Sequence, residues 1–165
     1  MQYNYIKINS PVGLLHMVSK SEKLIVLLFD SNWKEFKDSF ELNPKNKLTR
    51  KKDQVLRNTE IQLKEYFSGY RKNFDIPLEF SGTNFQKQAW NTLQQIPFGK
   101  TISYGEQAQK MKNPKAVRAV GGANGKNSIC IVVPCHRVIG KNGSLTGFGG
   151  GIDIKKQLLK HENCL

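Results

Sequence analysis

A continuous apolar run, Ile129-Cys130-Ile131-Val132-Val133, stops at Pro134 and is followed at once by Cys135-His136-Arg137-Val138. Five β-branched or thiol residues in succession predict a short buried extended segment. Pro134 ends it, because proline fixes φ and has no N–H for a ladder. A thiol beside an imidazole can be held partly as thiolate, which is the reactive form. A free cysteine is also a common buried structural residue, and adjacency alone does not choose between the two. Gly140, Gly143, Gly147, Gly149, Gly150 and Gly151 follow, a backbone able to bend closely around a ligand.

A chain of 165 residues suits one domain or two small ones, and its 38% hydrophobic content suffices for a core. No stretch approaches the roughly 18 apolar residues of a membrane span. Met1-Gln2-Tyr3-Asn4-Tyr5 lacks a basic segment leading into an apolar one, so no signal peptide is expected. The three cysteines, Cys130, Cys135 and Cys164, are a poor disulfide framework, which points to the reducing cytoplasm. With no Cys-x-x-Cys pair and with His16, His136 and His161 scattered, neither a metal nor a cofactor is expected.

The net charge is +13 and is unevenly spread. Residues 1–78 carry 14 Lys+Arg against 9 Asp+Glu, and residues 79–165 carry 12 against 4. Between Thr83 and Gly150 nine basic residues face one acid, Glu106. A segment so poor in acids favours a polyanionic partner, although a basic protein without one has the same composition.

The first part alternates like a meander, with strands expected at Tyr3–Ile8, Leu14–Ser19 and Leu24–Phe29. Trp33, Phe36, Lys37 and Phe40 fall at helical spacing within Asn32–Phe40. Lys45–Asp53 is polar and basic and reads as a solvated loop. Val55–Phe67 predicts an amphipathic helix with Leu56, Ile61, Leu63 and Phe67 near one face and Gly69 as its C-cap. Asp75–Leu78 reads as a crossing strand or linker, which sets an N-terminal α/β scaffold at 1–78 and a second domain at 79–165. Thr83 is expected to cap a helix through about Gln95, with Phe85, Ala89, Trp90 and Leu93 inward.

Two short helices then carry explicit start signals. Ser103-Tyr104-Gly105-Glu106 has the spacing of a capping box, and Asn113-Pro114 pairs a cap with proline at the first helical position. Helices at Tyr104–Lys110 and Pro114–Ala123 fit a helix-turn-helix. Ala116, Val117 and Val120 give the second an apolar face, with Lys115, Arg118 and Gly122 opposite. Ile152–His161 is a last amphipathic helix, with Ile154, Leu158 and Leu159 inward. Glu162 beyond it is either a solvated helix-end charge or a partner for a histidine.

Several stretches together resemble the O6-alkylguanine-DNA alkyltransferases, or methylated-DNA–protein-cysteine methyltransferases. They are Ser10–Gly13, Glu65–Gly69, Ile96–Glu106, Asn113–Ala123, Pro134–Val138 and Leu158–Glu162, in order through nearly the whole chain. The resemblance implies an α+β protein. A small N-terminal α/β domain with a ribonuclease-H-like sheet would precede a mostly helical domain containing a helix-turn-helix. It implies stoichiometric transfer of an alkyl group from O6 of guanine in duplex DNA, and from O4 of thymine, to the protein's own cysteine, by a monomer.

By the same resemblance Cys135 is the acceptor, and His136 and Glu162 are a relay that draws off its proton through a water. Tyr104 donates a hydrogen bond or proton to guanine N3. Asn127 joins the helix-turn-helix to the active-site segment. Arg118 enters the duplex where the target nucleotide has been flipped out, and Lys115, Ala119, Gly122 and Tyr104 complete a minor-groove surface. Pro134, Val138, Phe148 and Gly149 line the alkyl pocket, Phe148 standing where many relatives carry tyrosine. A non-catalytic protein that recognises alkylated DNA and a Cys-His hydrolase are the alternatives. The presence of Cys135 with His136, Tyr104 and Glu162 disfavours the first, and the helix-turn-helix disfavours the second.

Overall fold

A computed structural model describes residues 1–165, and three antiparallel strands form where alternation predicts them. They are β1 (Gln2–Ser10), β2 (Gly13–Lys20) and β3 (Lys23–Phe29), paired in sequence order. The helix α1 (Asp30–Glu41) follows β3 directly. It buries no residue and docks through stacked rings, Trp33 lying 4.8 Å from Tyr5 and 4.6 Å from His16.

The basic stretch after α1 is not the solvated loop expected. Lys47–Arg50 forms β4, which pairs parallel with β1 and gives a sheet of order β3-β2-β1-β4. An edge strand needs a backbone partner on one side only, and lysines on an open edge discourage further pairing. Charge therefore hid a strand.

The helix α2 (Gln54–Phe67) buries Val55, Leu56, Thr59, Leu63 and Tyr66. Ile61, expected inward, is 49% exposed, because at about 100° per residue it falls on the face opposite Leu56, Thr59, Leu63 and Tyr66. Asp53 caps α2 by accepting from Leu56 N–H at 3.0 Å, and it also accepts from Ser19 Oγ at 2.5 Å and Asn4 Nδ2 at 2.8 Å. One carboxylate thus ties the helix start to β1 and β2. Burial opposes its charge, but the bonds from Ser19, Leu56 and Asn4 hold its carboxyl below the usual range.

Met1–Phe80 and Ser81–Leu165 form two compact units. The division falls two residues past Leu78, because Leu24 N–H donates to the Pro77 carbonyl and Glu79 N–H to the Leu24 carbonyl.

The second unit begins with α3 (Asn84–Leu93), capped reciprocally by Thr83 and Gln86. A two-residue strand β5 (Ile102–Ser103) runs into α4 (Tyr104–Lys110), whose capping box of Ser103 and Glu106 is formed in both directions. The next helix, α5 (Val117–Gly125), starts three residues later than the Asn113-Pro114 signal predicted and has no side-chain cap. Pro114 and Lys115 instead form a turn, closed by Ala116 N–H on the Asn113 carbonyl. Its inward face is Val120, Ala123 and Asn124, leaving Val117 40% exposed where burial was expected. Buried polar bonds fix the helices: Gln107 and Asn124 pair their amides at 2.7 and 3.0 Å, and Trp90 Nε1 donates to the Ala123 carbonyl at 2.8 Å.

Ile129–Val133 is buried but not extended. It is a turn in which Val133 N–H donates to the Ile129 carbonyl and Ile131 sits at φ 71°. A 3₁₀ turn, Cys135–Arg137, leads into β6 (Val138–Ile139), which pairs parallel with β5. The chain then reaches α6 (Ile152–His161). No helix is long and apolar enough to cross a membrane.

Replacing Asp53 by Ala removes a cap and two further hydrogen bonds to a charge. It is expected to lower unfolding stability by about 1–3 kcal/mol in urea titrations. A loss confined to a few tenths would show that the carboxylate does not tie helix to sheet.

Candidate active site

Parallel pairing of β5 with β6 brings the start of α4 beside the Cys135–Arg137 turn. Asn127, just past the end of α5, has every amide atom engaged. Its Nδ2 donates to the Val133 carbonyl at 2.9 Å and to Cys135 Sγ at 3.2 Å, and its Oδ1 accepts from Ile129 N–H at 2.9 Å. The buried Cys135 thiol titrates below its ordinary value. A hydrogen bond from the Cys130 thiol is the largest cause; burial opposes it, and the Asn127 bond and the Lys155 charge add to it. Cys130 shows the reverse, pushed well up by its bond to Cys135, by burial and by the charge on Cys135.

His136 and Glu162 lie at the bottom of the site, Nε2 to Oε1 at 2.8 Å and both fully buried. The histidine that Glu162 was expected either to pair with or to ignore is therefore its partner. Burial pushes the imidazole down and outweighs the raising effect of Glu162, so the ring is neutral. With the Nε2 proton given to the carboxylate, Nδ1 is left as an acceptor that meets no protein donor. His136 makes no hydrogen bond to Cys135 itself; Asn127 Nδ2 donates to that sulfur, and the Cys130 thiol stands 3.6 Å from the Asn127 carbonyl.

Glu162 stays ionised although 1% exposed. Burial disfavours its charge, but the bonds from His136 and Arg137 lower its pKa far below the usual carboxylate range. Arg137 grips the carboxylate at both oxygens. Its Nε donates to Oε2 at 2.8 Å and Nη2 to Oε1 at 2.9 Å, while Nη1 reaches the Ile96 carbonyl at 2.6 Å. One of the nine cations counted as facing a polyanion is thus an internal clamp.

Tyr104, the first residue of α4, donates from its hydroxyl to the Thr146 carbonyl at 3.0 Å. Burial raises its phenol pKa, so it stays a donor. Lys155 is 0% exposed, with Nζ donating to the Val138 carbonyl at 2.6 Å and the Thr146 carbonyl at 3.2 Å. Its ammonium stands 5.9 Å from the centres of both the Tyr104 and Phe148 rings. Burial lowers its pKa, and the charge on Cys135 works against that.

Of the expected pocket residues, Pro134 and Val138 are buried, Phe148 is half-buried over Lys155, and Gly149 is exposed. Gly147 takes φ +60°, and a Cβ there would stand 3.7 Å from the Tyr104 hydroxyl, an ordinary contact on a backbone that suits glycine. A cleft of about 510 Å³ is lined by Ser103, Gln109 and Lys141 among others, and none of the expected pocket residues lines it. Arg118, Ala119, Gly122 and Lys115 are exposed, on α5 and the turn before it. No three His, Cys, Asp or Glu side chains stand close enough to hold a metal ion.

Sequence reasoning named Cys135, His136, Glu162, Tyr104 and Asn127 but missed Arg137 and Lys155 as parts of this cluster. The signal for Lys155 was present. Lys155, Leu158, Leu159 and Glu162 follow helical i, i+3, i+4, i+7 spacing, so a stripe that buries two leucines buries a lysine and a glutamate too.

The DNA binding domain pattern of 6-O-methylguanine DNA methyltransferase matches residues 84–164, and that family's ribonuclease-like domain matches residues 3–80. The chain belongs to the 6-O-methylguanine DNA methyltransferase family. It is 45% identical over 160 residues to a methylated-DNA–protein-cysteine methyltransferase of Methanosarcina acetivorans, covering 96% of this chain and 97% of that one. It is 42% identical over 160 residues to the inducible enzyme of Bacillus subtilis strain 168, covering 97% and 84%. Mycobacterium tuberculosis OGT, solved in complex with DNA, superposes with a TM-score of 0.83 at 38% identity, covering 99% of this chain and 94% of that one. Direct alkyl transfer from DNA to a protein cysteine is the activity of this family member.

Glu162→Gln leaves the buried Arg137 guanidinium without a counter-charge and is expected to destabilise by about 3–5 kcal/mol at neutral pH. The folded pKa of Glu162 is depressed. Its contribution is therefore complete above the ordinary carboxylate value of about 4.3 and is lost as pH falls from there toward the folded value. Urea titrations of both proteins should show the gap narrowing under acid; a gap independent of pH would contradict the ionised clamp.

Proposed function

We propose that Cys135 is the residue that takes the alkyl group from O6 of guanine, and from O4 of thymine, in duplex DNA. The observation that carries this reading is a buried thiol held toward its thiolate by Cys130, Asn127 and Lys155. The sulfur attacks the alkyl carbon, a C–S bond forms and the C–O6 bond breaks, and guanine leaves with the bonding electrons. Tyr104 gives a hydrogen bond or proton to guanine N3, so that the base departs neutral. The neighbouring Lys155 ammonium favours negative charge developing on the phenol oxygen. His136, oriented by Glu162 and Arg137, draws off the thiol proton at Nδ1 by way of a water molecule. The thioether is not reversed, so each molecule acts once.

Access to a base atom inside a duplex requires the nucleotide to leave the stack, at a cost of roughly a few kcal/mol. Arg118, on the exposed face of α5, fills the gap. Ala119 and Gly122 let the helix approach the minor groove, and Lys115 meets a phosphate. Pro134, Val138, Phe148 and Gly149 form the wall around the alkyl group. The protein acts as a monomer in the cytoplasm, where thiols stay reduced, and without a cofactor. A protein that only recognised alkylated DNA would have no use for a buried thiolate beside a protonated phenol.

Mass spectrometry after reaction with O6-methylguanine duplex is expected to place one methyl group on Cys135 and none on Cys130 or Cys164. Arg118→Ala is expected to slow duplex repair by about 10- to 100-fold while changing reaction with free O6-benzylguanine by less than about twofold. Tyr104→Phe is expected to slow both by about a hundredfold. A methyl group on Cys130, or equal losses on duplex and free base for Arg118→Ala, would contradict these roles.

A further inference from the structure

Cys130 is a buried thiol that alkyl transfer to Cys135 does not consume, and the turn after Asn127 brings both sulfurs within bonding reach of that one residue. The turn that does so contains Ile131 at φ 71°, a left-handed conformation that β-branched residues rarely adopt. It is closed by Val132 N–H on the Cys130 carbonyl at 2.8 Å and Val133 N–H on the Ile129 carbonyl at 3.0 Å. Asn127 touches both sulfurs, donating from Nδ2 to Cys135 Sγ at 3.2 Å and presenting its carbonyl 3.6 Å from Cys130 Sγ. The single Cys130 thiol proton therefore faces two acceptors, the Asn127 carbonyl and the Cys135 sulfur, of which a thiolate is the stronger.

Resting on the reading of Cys135 as the acceptor, we propose that Cys130 and Cys135 form a reversible disulfide on exposure to hydroperoxides, which withdraws the acceptor from alkyl transfer and shields it from irreversible oxidation. The Cys135 thiolate attacks one peroxide oxygen. An S–O bond forms, the O–O bond breaks, and the leaving oxide takes a proton to become water or an alcohol. The Cys130 sulfur then attacks the Cys135 sulfenic acid. The S–S bond forms, the S–O bond breaks, and the hydroxyl leaves as water with the Cys130 proton. The two sulfurs together give up two electrons, and the peroxide accepts them.

The order of events follows from the pair's asymmetry. While Cys135 is a thiolate, its bond and its charge keep Cys130 protonated. Oxidation of Cys135 to a neutral sulfenic acid removes both, and Cys130 becomes easier to ionise at the moment it is needed. Cys164 lies past the end of α6 and makes no bond to either sulfur.

The test treats the full-length protein with hydrogen peroxide and follows intact mass, peptide maps and methyl transfer from O6-methylguanine duplex. The expected result is a loss of two hydrogens, a peptide linking Cys130 to Cys135, loss of methyl transfer, and its recovery with dithiothreitol. Cys130→Ala, compared with its own untreated sample, should instead gain oxygen on Cys135 and recover less. Oxygen added to Cys135 of the wild type without the cross-link, a disulfide from Cys135 to Cys164 or to a second molecule, or equal recovery in both proteins would overturn the proposal. The wild-type peptide map decides even if the variant does not fold. A Cys130–Cys135 disulfide in a protein that transferred no methyl group before treatment would confirm the pair and overturn the acceptor reading instead.

Discussion

A carboxylate in a protein interior is stable only with its charge balanced and its lone pairs bonded, and Glu162 meets both conditions through Arg137 and His136. Those bonds join the residue after α6 to the Cys135–Arg137 turn, and Arg137 extends the link to the Ile96 carbonyl. With Glu162 fixed, the stripe of α6 that buries Leu158 and Leu159 also delivers Lys155 to the Val138 and Thr146 carbonyls. The Thr146 carbonyl accepts from the Tyr104 hydroxyl as well. The placement of the phenol and the ammonium is thus a consequence of how one buried ion pair seats the last helix.

The three cysteines show what environment does to one functional group. Burial raises the thiol pKa of Cys164, and burial with a neighbouring thiolate raises that of Cys130. Cys135, as buried as Cys130, titrates lower because a thiol and an amide donate to it and an ammonium lies near. Hydrogen bonds outweigh desolvation at that sulfur alone, which sets its titration apart from that of the other two thiols.

Much of this was legible in the sequence where local rules decide the outcome. The meander, the Thr83 and Ser103 caps and the range of α6 follow from alternation, capping chemistry and periodicity. Elements decided by tertiary partners were not legible. Lys47–Arg50 is a strand because β1 offers an open edge, and nothing in its own charges says so. Ile129–Val133 has the composition of a strand, but the bonds of Asn127 to Ile129 and Val133 fold it into a turn. Pro114 promised a helix start that moved to Val117, because Asn113–Ala116 closed a turn first. In the site, Cys135 and Tyr104 were singled out through the family resemblance of Pro134–Val138 and Ile96–Glu106. Arg137 and Lys155 were missed because long cations are read as solvent-facing unless their stripe is followed through the helix.

Alkyl transfer as proposed requires Cys135 to be a thiolate where an ordinary thiol is protonated. Ultraviolet thiolate absorbance, followed over a pH titration of the wild type with Cys135→Ser as the blank, reads that state directly. One thiolate is expected to appear below the ordinary value of 9.0, assigned to Cys135 by its absence in the blank, with Cys130 and Cys164 following above it. Asn127→Ala should move that first step upward. A first step at or above 9.0, or one that survives in the blank, would contradict the account.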